Sequence, residues 1–356
     1  MSTNEINSVL IENRRFDSPA DFASKARIKA AELDALNKQA EQDYEGFWAD
    51  QARQHIDWNK PFSKVLDESN APHFKWFEDG VLNVSYNCID RHLADSADKT
   101  AIIFEGEQGD VRHISYQQLH DDVCRFANGL KNLGVGKGDR VIIYMPMTAE
   151  AVIAMQACAR IGAIHSVVFG GFSADSLRDR IEDASASALI TADGGHRGGK
   201  IVELKSAADK ALERHCDSIE NVIVLQRSGH DIDMQEGRDH WWHDVVEGQA
   251  DTCEPEWVES EHPLFLLYTS GSTGKPKGIQ HSSGGYLLNA VQTNLWVFDL
   301  QQSDIFWCTA DVGWITGHTY VAYGPLAAGT TTVIYEGAPV IPDAGRFWKI
   351  CEDHKV

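Results

Sequence analysis

From residue 98 onward the chain alternates short apolar runs with stretches of helical periodicity. Ser115 and Gln118 form a capping box, after which Leu119, Val123, Phe126, Leu130 and Leu133 hold one helical face until Gly134 stops it. The run 141–145 reads as a strand, 150–160 as a helix and 164–169 as the next strand; runs at 188–191, 222–225, 264–268, 305–308 and 331–335 continue the alternation. Such alternation predicts an α/β fold of multi-layer, largely parallel sheets flanked by helices. Ligands of such sheets sit beyond the carboxyl ends of the strands, so the loops after these runs are where chemistry is expected.

Before residue 80 the character is different. Ser18 and Pro19 offer an N-cap followed by a proline at the first helical position, and Phe22, Ala26, Ala30, Leu33 and Leu36 fall on one side of the single helix this predicts. Phe47, Trp48, Trp58, Phe62, Phe74, Trp76 and Phe77 then recur among turn residues, as expected of aromatics that pin an extension onto a larger body. The expected division is an extension over 1–80 and a main domain over 81–356, with no internal repeat or low-complexity tract.

With 356 residues, 43% hydrophobic, the chain can bury a large core. Its 32 basic and 53 acidic residues leave a net charge of -21, which repels a nucleic-acid backbone and an anionic membrane, so neither is an expected partner. Small anions are not excluded, because a nucleotide is held by a few local donors. The seven cysteines are scattered and lack a Cys-x-x-Cys pair, which reads as reduced thiols rather than a disulfide framework or zinc site. Met1, Ser2, Thr3, Asn4 and Glu5 do not open a signal peptide, and the apolar region 141–172 is broken by Pro146, Glu150, Arg160 and His165. A cytoplasmic protein is expected.

The strongest chemical signal follows the run 264–268: Thr269, Ser270, Gly271, Ser272, Thr273, Gly274, Lys275, Pro276, Lys277 and Gly278. Glycines let the backbone turn tightly and present N–H groups, hydroxyls add donors, and Lys275 and Lys277 add positive charge, a combination suited to a nucleotide's phosphates. A Walker A loop is ruled out, since Pro276 stands where the magnesium-binding Ser or Thr belongs and Thr269 where the first glycine belongs. The segment resembles the phosphate-binding signature of the adenylate-forming superfamily. That resemblance implies that Thr269, Ser270, Gly271, Ser272, Thr273, Gly274, Lys275 and Lys277 wrap the phosphates of ATP, supplied with Mg2+, while a carboxylate attacks the α-phosphate to give an acyl-adenylate and pyrophosphate.

A second segment, Trp307 to His318 by way of Asp311, Gly313, Trp314, Ile315 and Thr316, resembles the acetyl-CoA synthetases. In that family the residues after the tryptophan close the acyl pocket. Trp314 would be a rigid wall, Ile315 a branched residue leaving room only for a short acyl group, and Thr316 would face the α-phosphate and the coenzyme. Ile315 replaces the expected valine.

The third segment joins Gly170, Gly171, Phe172 and Ser173 to Asp193, Gly194, Gly195, His196, Arg197, Gly198, Gly199 and Lys200. On spacing alone Gly194 to Lys200 is P-loop-like, but Ile201 stands where a Ser or Thr is needed. By the same resemblance this stretch binds the nucleotide end of coenzyme A: Gly170 and Gly171 would admit adenine, and Arg197 and Lys200 would pair with phosphates. Val340 stands where the family has an asparagine that contacts the coenzyme, so no contact is assigned to it. His240 and His243 lack a third ligand, and no metal-binding residue is assigned.

The resemblance runs from about Phe47 to Val356, and the chain is expected to be the N-terminal portion of an acetate–CoA ligase, inactive on its own. Missing are the segments that in relatives hold adenine and ribose, complete the acyl pocket, bind magnesium and form the C-terminal lid. No catalytic residue is therefore assigned, and the implied substrates are acetate, ATP and coenzyme A. A propionate–CoA ligase and a non-catalytic coenzyme- or nucleotide-binding fragment are the alternatives.

Overall fold

The computed structural model describes residues 15–269 and 276–356. In chain order its main strands are β1 (Thr100–Gly106), β2 (Val111–Ser115), β3 (Arg140–Tyr144), β4 (Ile164–Val167), β5 (Ala188–Ala192), β6 (Gly195–Arg197) and β7 (Lys200–Val202). They continue with β8 (Asn221–Leu225), β9 (Asp239–Trp241), β10 (Pro263–Thr269), β11 (Lys277–Ser282), β12 (Ile305–Phe306) and β13 (Thr331–Glu336). The main helices are α1 (Ala20–Lys25), α2 (Ala30–Gln42), α3 (Tyr44–His55), α4 (Tyr116–Asn132), α5 (Ala149–Arg160), α6 (Ala174–Ala184), α7 (Leu204–Leu212), α8 (Ser283–Trp296) and α9 (Arg346–His354).

A seven-stranded sheet runs β9-β8-β5-β3-β4-β10-β11, and only its last pair is antiparallel. A four-stranded sheet runs β12-β13-β1-β2, again with one antiparallel pair, β1 with β2. The largely parallel α/β fold is as the alternation predicts.

Both faces of the large sheet are covered at its centre, which explains why the inner strands read as apolar runs, while the edge strands β9 and β11 are polar. Along β3, Val141 and Ile143 point into one core with helices α4 and α5, while Ile142 and Tyr144 point into another with Leu177 and Ile181 of α6 and Ala208 and Ala211 of α7. The first core also takes Ile102 and Phe104 of β1, so α4 and α5 lie between the two sheets. Beyond the small sheet, Ile103 and Val333 meet Ile350 of α9. Layers therefore run helix, sheet, helix, sheet, helix.

Position in this stack explains composition. Helix α5 buries nearly every side chain and is apolar but for Glu150, Gln156 and Arg160, whereas α4 keeps an amphipathic stripe of Leu119, Val123, Phe126 and Leu130. The capping box forms as read: the Gln118 N–H donates to Ser115 Oγ at 3.1 Å, and the Ser115 N–H to Gln118 Oε1 at 2.9 Å. Gly134 leaves the helix with φ 85°.

The N-terminal segment departs from expectation. In place of one helix opened by Ser18 there are two, α1 and α2, neither burying a side chain, with Phe22 and Leu33 exposed. The break has a physical cause: the Arg27 N–H donates to Asp299 Oδ1 at 2.7 Å and its guanidinium to the Leu300 carbonyl at 2.8 Å, which draws the chain off the helical path. Helix α2 then restarts with the Lys29 N–H donating to Glu32 Oε2. Phe47 ties this region to the main body, 6.2 Å from Trp296 of α8, while Phe62 packs within the region, 5.1 Å from Trp58 and 4.6 Å from Phe77 between ring centroids. Phe74 is the exception and is exposed.

Candidate functional site

The carboxyl ends of strands from both sheets converge on one cleft. Met145, Pro146 and Met147 follow β3, Phe169, Gly170 and Gly171 follow β4, and Glu336 and Gly337 mark the end of β13; with Arg197 of β6 and Asp311 they line one pocket open to solvent. An adjoining cleft shares Met147, Phe169, Arg197, Asp311 and Gly337, and adds Trp307, Cys308 and Trp314. Gly170, Gly171, Arg197 and Trp314, far apart in sequence, thus meet around one continuous depression.

The stretch with P-loop-like spacing is a β-hairpin. Arg197 pairs with Lys200 and His196 with Ile201 across β6 and β7, and the turn is made by Gly198 and Gly199 at φ 66° and 73°. Positive φ at both central residues is a type I′ turn, which explains the two adjacent glycines, and a strand rather than a helix follows. The Arg197 guanidinium sits 5.4 Å from the centre of the Phe169 ring. Lys200 is exposed on the opposite strand and does not line the cleft.

Three carboxylates brace the cleft floor. Asp193, fully buried, accepts backbone N–H groups from Gly194, Arg227, Ser228 and Gly229 at 2.6–2.9 Å, tying the loop after β5 to the loop after β8. Glu336, 1% exposed, accepts the His196 N–H at 3.1 Å and the Arg227 Nε–H at 2.7 Å, and Arg227 also pairs with Asp110. Asp311 accepts the Gly313 N–H at 2.8 Å; burial pushes its carboxyl above the ordinary value against the opposing pull of Arg197. Sequence reasoning missed Glu336 and gave Asp193 no role, although each directly follows an apolar run at the carboxyl end of a strand.

The segment Ile315–Gly317 is one helical turn, with Trp314, Ile315 and Thr316 exposed. Trp314 leans on Phe172 and Phe169, at 6.0 and 6.3 Å between ring centres, and so closes one side of the depression. His318 fixes this turn from below. Burial lowers its pKa to about 4, so the ring is neutral and its Nδ1–H donates to the Trp314 carbonyl at 3.1 Å. A π-helical turn, His318–Tyr323, follows, a geometry frequent at functional sites.

Thr269 and Lys277 face each other as the last cross-strand pair of β10 and β11, both exposed, at the carboxyl end of β10. The remaining phosphate-loop candidates, Ser270, Gly271, Ser272, Thr273, Gly274 and Lys275, lie outside the described residues. Val340 is exposed, and His240 Nε2 lies 3.1 Å from Asn221 Oδ1. Among the described residues no group of three or more His, Cys, Asp or Glu side chains is placed to hold a metal ion, no helix is long and apolar enough to cross a membrane, and all seven cysteines are free.

Comparison with known proteins accounts for this arrangement. Residues 33–88 match the family model described as the acetyl-coenzyme A synthetase N-terminus. The chain is 63% identical to an acetyl-coenzyme A synthetase of Thiobacillus denitrificans and 60% identical to one of Chromobacterium violaceum, over 99% and 100% of its length. It spans about half the length of these curated relatives, 54% of each. Residues 89–356, which contain both sheets and every wall of the cleft, match the model of the AMP-binding enzymes, and the chain belongs to that family.

Proposed function

We propose that the protein of which this chain forms part is an acetate–CoA ligase, converting acetate, ATP and coenzyme A to acetyl-CoA, AMP and pyrophosphate through an acetyl-adenylate. The observation that carries this reading is the convergence, at the carboxyl ends of two sheets, of a basic hairpin bearing Arg197, the Gly170–Gly171 bend and the Trp314 turn. Three ligand pieces need three such neighbours.

In this reading Gly170, Gly171, Arg197 and Lys200 take the nucleotide end of coenzyme A, and Thr269 and Lys277 begin and end the loop that holds the ATP phosphates. Trp314 and Ile315 bound the acyl group, while Thr316 lies between acyl group and coenzyme. Donors fixed before the reaction stabilise charge that develops on the phosphates, so their contribution is positional and electrostatic. Mg2+ enters as the nucleotide's counter-ion, and none of the described residues is assigned to it. Acetate-dependent exchange of pyrophosphate into ATP, measured on the full-length protein, is the expected activity; no exchange with any short carboxylate would reject the class.

A further inference from the structure

Hairpin β6–β7 carries two of the residues assigned to the coenzyme, yet little in its own sequence keeps it in place. Its strands have three residues each and form a sheet of their own, and isolated two-stranded ribbons are marginal in water. Arg197 and Lys200 stand directly opposite each other, a like-charge pairing that works against the ribbon, and among the described residues neither has an ion-pair partner.

What holds the tip is a carboxylate from the other sheet. Glu107 follows β1 directly, and its Oε2 accepts the Gly198 N–H at 2.8 Å and its Oε1 the Gly199 N–H at 2.7 Å. Oε2 also accepts the Ala338 N–H at 2.8 Å, from the loop after β13. Beside it, Gln108 Nε2 lies 3.0 Å from His196 Nδ1. The fit is close: a Cβ on Gly337 would lie 2.7 Å from Glu107 Cβ. Burial opposes the charge on Glu107, but the three N–H donors outweigh it and hold the carboxyl below its ordinary value.

We propose that Glu107 is a positioning residue for the coenzyme: it bolts the hairpin tip to the small sheet and so aims Arg197, the hairpin cation that lines the cleft, at a phosphate of the bound nucleotide. Its carboxylate is occupied by backbone N–H groups and takes up neither Arg197 nor Lys200, which leaves both cations available to ligand. This inference rests on the coenzyme reading above, and the experiment separates the two.

Calorimetry on the chain with 3′-phospho-ADP and with ADP, for wild type, Glu107→Ala and Glu107→Gln, reads the contribution of the extra phosphate. Glu107→Ala is expected to weaken 3′-phospho-ADP about tenfold while leaving ADP within about twofold, the gap expected for one lost charge-assisted contact. Glu107→Gln, which keeps one accepting oxygen, is expected to lie between. Equal weakening of both nucleotides would mean a general structural role, and tighter 3′-phospho-ADP binding would mean that Glu107 competes with the phosphate; either overturns the proposal. If wild type binds neither nucleotide, the coenzyme reading falls, and with it the aiming role. Hydrogen exchange then tests the bolt alone: faster exchange at Gly198 and Gly199 in Glu107→Ala, with an unchanged unfolding midpoint, sustains it, and unchanged exchange removes it.

Discussion

Replacing Asp193 with asparagine probes the bracing of the cleft floor at a single atom. Oδ1 accepts three N–H groups, from Gly194, Arg227 and Ser228, while Oδ2 accepts only that of Gly229. Asparagine can keep its oxygen on the three-donor side, but its NH2 group then confronts the Gly229 N–H, donor against donor. One charge-assisted hydrogen bond is lost, at about 1.5–3 kcal/mol, and a buried donor is left unmatched, at about 1–3 kcal/mol. The loop amides are partly reachable by water, so we expect about 3 kcal/mol for Asp193→Asn. Asp193→Ala strands all four donors and is expected to cost about 5 kcal/mol. Urea unfolding at constant slope gives both values, and exchange of the Gly229 amide locates the loss. An asparagine variant within about 0.5 kcal/mol of wild type, or an alanine variant no worse than asparagine, would refute the reasoning.

Two further predictions concern charge. His120 Nε2 lies 3.5 Å from Asp90 Oδ1, and hydrogen bonds to Asp90 and Cys124 raise its pKa from 6.5 to about 10. The folded state therefore favours the protonated ring, and this stabilisation is complete below pH 6.5 and fades as pH rises towards 10. Asp90→Asn should reduce that slope, since Asp90 is the largest of its causes, and cost about 3 kcal/mol by leaving buried Arg160 without its carboxylate; a wild-type unfolding midpoint that is flat from neutral pH to pH 10 would contradict the first statement. Lys277→Ala, in a protein that binds ATP, is expected to weaken ATP about tenfold by calorimetry, and unchanged affinity would show that the loop it closes does not carry the phosphates.

Elements whose partners are local were legible in the sequence. Helix α4 announced its start through Ser115 and Gln118 and its end through Gly134, and the five inner strands of the large sheet were plain as apolar runs, whereas its polar edge strands β9 and β11 were not read. The break between α1 and α2 was not legible, because its cause is Asp299, distant in sequence. The hairpin at Gly198 and Gly199 was hidden for another reason: adjacent glycines serve a type I′ turn as well as a phosphate loop, and only the strand after Lys200 separates them. Of the site, glycine- and aromatic-bearing segments could be found by motif. Glu107 and Arg227 could not, since a lone charged residue in a polar neighbourhood looks the same whether it faces solvent or caps another strand.

The cleft has walls from two separate sheets, and α4 and α5 are the spacer that sets how far apart those walls stand. Ligand selectivity in such a molecule need not be altered at the ligand. A methylene added or removed where α4 meets α5 would shift one sheet against the other and change the gauge of the opening, so substrate range can drift through interior substitutions that touch no substrate.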